Sequence, residues 1–242
     1  MRMVDIKIVA SRQRQEMAEN LRDTLELTDQ DIFYDESSET GNPYLSVKQT
    51  WLLPHADGVT HRVVLNDDVQ VCSGFKQIIE QMAQSHPDCA FSLFTMAFDG
   101  ESYNDFISGL ESPYIHHDWS MWGCAILLPI NIVEECFSYI DSVFGENALE
   151  SHGILSYLNH KRIPILSTIP VTVQHIGDDS LFDSSLPVRR TVRFDENPTA
   201  DWTSTKVEDP PVLDWFKPKQ IGKVENRTDR ILNILKGVDV NE

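Results

Sequence analysis

The chain has 242 residues, 38 acidic against 20 basic for a net charge of −18, and 41% of it is hydrophobic, enough for the core of one large α/β domain. That charge repels polyanions at long range, so a nucleic-acid partner requires a local basic patch. No apolar run reaches the ~20 residues a bilayer span needs and the N-terminus lacks a signal-type core, so a cytoplasmic protein with no membrane association is expected. The four cysteines, Cys72, Cys89, Cys124 and Cys136, form no close pair, which argues against a zinc knuckle or a disulfide framework. With no GxGxxG or GxxxxGK sequence, phosphate binding would rest on a metal or on basic side chains.

Residues 4–10 read as an apolar strand, and 12–27 follow as a helix with Met17, Leu21 and Leu25 at helical spacing. A second strand over 31–35 completes the opening of a βαβ unit, from which a mostly parallel sheet is expected. Residues 36–42 are loop and 44–53 helix-compatible up to Pro54. A β-branched strand over 61–65 then runs into Asn66-Asp67-Asp68, with a helix over 75–83 beyond. Strands over 89–96 and 121–128 flank a polar stretch, helices are expected over 132–144 and 148–159, and residues 163–173 read as one strand. Regularity weakens after 178. The proline-rich 197–218 stretch, with a short helix over 226–235, marks residues 197–242 as a wrapping tail on a domain of 1–196.

Ligands of open parallel sheets bind beyond the carboxyl ends of the strands, where this reading puts Asn66, Asp67 and Asp68. Adjacent carboxylates there suit a hard divalent cation bridging phosphate oxygens, although an acidic turn is the commoner meaning of Asp-Asp after a strand. A second strand ends on His175, whose imidazole can add a nitrogen ligand or bond a diphosphate. Trp119 and Trp122 beside Gly123 can stack on a sugar or a base or pack in the core, and Trp51 reads as core.

The blocks VVLNDDV, WGCAILLP, ESHGILSYL and PVTVQHIGDDS, in that order over roughly residues 4–185, resemble those of small GT-A-type glycosyltransferases. The resemblance implies a GT-A-like, Rossmann-like fold and a nucleotide-sugar donor, UDP-linked first of all. It implies that Asp68, with Asn66 or Asp67, and His175 bind Mn2+ or Mg2+ together with the donor diphosphate. Asn-Asp-Asp stands here where the family pattern is Asp-x-Asp, which leaves the metal-touching member of the triplet open. By the same resemblance Ala10, Ser11 and Arg12 line the nucleoside pocket, Arg14 reaches phosphate, and Asp35 accepts from the base or ribose. Glu150 falls where similar inverting enzymes place the catalytic base, with Asp118 and the His116-His117 pair as rivals on the acceptor side.

Small enzymes of this kind include phage transferases acting on hydroxymethylated DNA bases. Arg189, Arg190 and Arg193, then Lys217, Lys219 and Lys223, are the basic clusters a DNA acceptor would need. A saccharide or protein hydroxyl is the alternative acceptor. A nucleotidyltransferase and a catalytically inactive GT-A-like binding module are the rival classes, the former disfavoured by the absence of glycine from residues 10–14.

Overall fold

The computed structural model describes residues 3–35, 43–95, 106–107, 109–116, 121–177, 191 and 193–209. The first strand, β1 (Val4–Ser11), is buried on both faces, as a parallel strand covered by helices on either side must be. Helix α1 (Gln15–Thr24) turns its buried Ala18 and Leu21 to the sheet. Strand β2 (Ile32–Asp35) then returns parallel to β1, with Ile8 opposite Ile32 and Ser11 opposite Asp35. The expected βαβ opening is therefore present.

Helix α2 (Pro43–Trp51) leads to β3 (His61–Asn66), which lies parallel on the other side of β1. There follow β4 (Val69–Val71), α3 (Phe75–Ser85), β5 (Ala90–Ser92), β6 (Tyr114–His116), β7 (Ala125–Pro129), α4 (Val133–Phe144), α5 (Glu150–Lys161), β8 (Ile165–Thr168), β9 (Val173–His175) and β10 (Val207–Glu208). Eight strands form one sheet in the order β10-β6-β8-β5-β7-β3-β1-β2, while β4 and β9 form a separate ladder. Four pairings are parallel (β1–β2, β1–β3, β5–β8, β6–β10) and three antiparallel (β3–β7, β5–β7, β6–β8). This is the Rossmann-like α/β architecture with a mostly parallel central sheet that the sequence led us to expect, with β7 reversed between β5 and β3, and β6 and β10 running against β8.

Side chains alternate across the sheet with the period of two that a strand imposes. Ile6, Ile8, Val63 and Leu65 face α1 and α3, whereas Val9, Val64, Ile126 and Leu128 face α2, α4 and α5. Arg62 is 1% exposed, and its Nε donates to Asp5 Oδ2 at 2.8 Å while its Nη atoms donate to the carbonyls of Trp51 and Pro54. A buried charge held this way ties the C-terminus of α2 to β1 and β3.

The strand expected over 163–173 is two strands: Pro170 cannot donate to a ladder, and the chain leaves the main sheet after Thr168 before pairing again as β9. Short strands β4, β6 and β10 carry too few residues for a legible alternation. In the 197–242 segment, Trp202 is buried, its carbonyl accepts from Tyr114 Oη at 2.6 Å, and β10 extends the sheet beside β6. The helix expected over 226–235 lies outside the described residues.

Candidate active site

Strand direction decides which residues meet. β1, β2, β3, β5 and β8 all end at one edge of the sheet, and β7, running against them, begins there. That edge gathers Ser11 at the end of β1 with Arg12 and Arg14 after it, Asp35 at the end of β2, Asn66 at the end of β3 with Asp67 and Asp68 after it, and Gly123 before β7. The β4–β9 ladder pairs Val69 with His175, and the Ile176 N–H donates to the Asp68 carbonyl at 2.9 Å. His175 is thereby set against Asp68.

The two aspartates have different partners. Asp67 Oδ2 accepts from the Ser11 N–H at 2.8 Å, which spends it on β1, and Asn66 donates its backbone N–H to the Cys124 carbonyl at 3.0 Å. Asp68 Oδ2 lies 3.2 Å from His175 Nε2 and accepts from Arg14 Nη1, which stands 3.6 Å from Asp67 Oδ1. Asp68 Oδ1 is buried and has no hydrogen-bond partner among the described residues. Burial foremost pushes the Asp67 carboxyl up to about 6, against the Ser11 hydrogen bond. At Asp68 burial opposes ionisation too, but the His175 hydrogen bond and charge, with Arg14, outweigh it and hold the carboxyl below the usual range.

A β-carbon at Gly177 would stand 2.6 Å from Asp68 Oδ2, so only glycine lets the chain after β9 close over that carboxylate. Among the described residues no group of three His, Cys, Asp or Glu side chains is placed to hold a metal ion. Mg2+-type ions take one or two carboxylates and complete their shell with water and phosphate oxygens, so a cation arriving with its substrate would meet Asp68 Oδ1, with His175 Nε2 beside it at 3.2 Å from Oδ2. The orphaned Oδ1 of Asp68 is the observation that supports this fit.

Along the same edge, the Arg12 guanidinium stacks 4.2 Å from the centre of the Tyr34 ring, a cation–π distance. Arg12, Tyr34, Ser46 and Gln49 are among the residues lining a cavity of about 500 Å³. Asp35 is buried and accepts from the Ser46 hydroxyl, and Ala10 is buried at the end of β1. Tyr34, Ser46 and Gln49 carry no sequence motif, so only the fold reveals their place.

Glu150 opens α5 against the start of β7. Its Oε1 accepts from Trp51 Nε1 at 2.7 Å, and its Oε2 lies 2.8 Å from where a β-carbon on Gly123 would stand. The residue keeps partial exposure, yet its carboxyl is enclosed densely enough that burial pushes it up to about 7, the Trp51 hydrogen bond opposing the rise. His116, by contrast, ends β6 at the opposite edge of the sheet, paired with Asp209. Asp118, His117 and Trp119 lie outside the described residues, and Trp122 packs partly buried against the α1–α3 core.

No protein-family model matches the chain, and no curated protein matches it. Among solved structures, one match is a glycosyltransferase involved in glycosylation of the major capsid of PBCV-1, at 14% identity and a TM-score of 0.42, covering 73% of this chain and 94% of that one. At such identity and score the likeness carries no argument about this chain.

Proposed function

We propose that the protein is a metal-dependent glycosyltransferase that moves a sugar from a nucleoside-diphosphate sugar to a hydroxyl acceptor. The carrying observation is Asp68: a buried carboxylate with one unpartnered oxygen, beside His175 and Arg14, at the carboxyl edge of parallel strands. Asp68 and His175 would hold a divalent cation such as Mn2+ or Mg2+, which when bound neutralises charge on the leaving diphosphate. Arg14 can exchange Asp68 for a phosphate oxygen, and Arg12 with Tyr34 offers a face for the nucleoside. Glu150 takes the proton from the acceptor hydroxyl as its oxygen bonds the anomeric carbon and the bond from that carbon to the diphosphate oxygen breaks. A carboxylate near pH 7 is matched to that task.

Calorimetry and thermal-shift measurements against UDP-sugars, GDP-sugars and nucleoside triphosphates, with and without Mn2+, test the reading. Mn2+-dependent binding of one nucleotide-sugar class, lost in Asp68→Ala, is the expected result. Binding of triphosphates alone would replace it with a nucleotidyltransferase, and no binding of any kind with a binding module. For the acceptor, saccharides and hydroxymethylated DNA are compared directly. Of the basic clusters on which a DNA acceptor would rest, Arg193 is described, and its Nη1 donates to the Ile107 carbonyl at 3.1 Å.

A further inference from the structure

Trp51 is fully buried at the last turn of α2, where its size alone would make it core packing against Phe137 at 6.1 Å between ring centres. It is nevertheless fixed at two polar points. Its carbonyl accepts from Arg62, itself locked to Asp5, and its indole N–H is aimed at Glu150 Oε1 at 2.7 Å. A buried indole N–H needs an acceptor, and here that acceptor is the candidate base, 99 residues further along the chain. With Oε1 so held, Oε2 is the oxygen turned to Gly123, the residue that precedes Cys124, whose carbonyl bonds the Asn66 N–H.

We propose that Trp51 is a positioning residue for Glu150: its indole N–H pins one carboxylate oxygen so that the other is presented past Gly123 to the acceptor hydroxyl. The proposal rests on the transferase reading above. The surroundings leave the indole in control of that carboxyl. Among the described residues, Tyr44 on α2 and Cys136 on α4 are the titratable groups that feel the Glu150 charge, and burial keeps both neutral at pH 7. Among the described residues no cation acts on Glu150, and the Trp51 hydrogen bond is the interaction that favours its charged form.

The test is a titration of the intact protein followed by NMR. With glutamate side-chain carboxyls labelled and Glu150 assigned through Glu150→Gln, Trp51→Phe keeps the ring and removes the donor. The Glu150 midpoint should rise by about one pH unit, a tenfold change in its proton equilibrium, and the acidic limb of the rate profile should move with it. A folded Trp51→Phe protein with an unmoved midpoint overturns the proposal. Independently of any variant's folding, the indole N–H resonance of Trp51 in the unaltered chain should shift with the Glu150 midpoint. A flat indole signal overturns the positioning role even if the protein transfers sugar, whereas a titrating indole in a protein that binds no donor overturns the transferase reading and the catalytic part of this one with it.

Discussion

Replacing Glu150 by glutamine should make the protein more stable at pH 8 and inactive. The carboxyl titrates near 4.5 in an unfolded chain and is raised to about 7 in the fold by burial, with the Trp51 bond partly offsetting. Between those values the folded state holds a proton that the unfolded state has released. Stability therefore falls as pH rises through the window, and the deficit is constant above it. At 1.36 kcal/mol per unit the full deficit is about 3 kcal/mol, and partial exposure of the residue reduces it to about 2 kcal/mol. Glutamine has the same shape and keeps an oxygen for the indole, but no charge to bury. Urea unfolding of both proteins from pH 4 to pH 8, at equal m-value, should show curves that coincide at the acid end and separate by about 2 kcal/mol in favour of Glu150→Gln at the basic end. A pH-independent difference, or a variant less stable at pH 8, would refute the claim that enclosure of the Glu150 carboxyl raises it. Transfer should drop by about 10²–10⁴ with donor binding retained, as loss of a general base requires.

Gly123→Ala should push the Glu150 carboxylate aside, since its β-carbon would sit 2.8 Å from Oε2; transfer should fall at least about tenfold with thermal stability little changed, and full activity would separate Gly123 from the site. Gly177→Ala directs its strain at Asp68, so calorimetry should show Mn2+-dependent donor affinity lost while the circular dichroism spectrum is kept. His61 is buried, and burial foremost lowers it to about 4 against the Asp88 charge. The unfolded chain then binds the extra proton first as pH falls below 6.5, and the His61 contribution to stability should decline by up to about 3 kcal/mol down to pH 4; the stability difference between the unaltered chain and His61→Leu should change by that amount across the range, and a constant difference would acquit His61. Arg62→Met takes from buried Asp5 its hydrogen-bonded partner and leaves it Lys7 Nζ at 3.3 Å, which should cost about 3 kcal/mol by denaturant unfolding, part of it recovered in the double variant with Asp5→Asn.

The elements with strong periodicity were legible from the chain: β1 and α1, the apolar β3 running into its acidic turn, and the α4 face of Val133, Cys136, Phe137 and Ile140 all have a pattern set by a core on a fixed side. What was not legible depends on direction and register. Nothing in the three residues of β4 or of β9 announces that they pair with each other, yet that pairing puts His175 Nε2 beside Asp68. Asp67 and Asp68 are adjacent carboxylates in the sequence, and only the Ser11 N–H, reaching from β1, separates the one spent on structure from the one facing His175. Trp51 reads as a core residue and is one; its second role rests on a contact with Glu150 that no local spacing encodes.

The reversal of β7 is the step that joins the two halves of the site. Leu65 pairs with Ala125 in antiparallel register, so the chain enters β7 beside the end of β3, and Gly123 arrives next to the Asn66-Asp67-Asp68 turn. A parallel β7 would begin at the other edge, about 15–20 Å away at the rise of an extended strand, and Glu150, packed on Gly123, would be carried off with it. The polarity of this one strand thus sets whether Glu150 and Asp68 stand at the same edge of the sheet. Helix α5 follows the same constraint: it starts at this edge with Glu150 and delivers the chain to the opposite edge, where β8 begins and returns it to the site as β9 and His175.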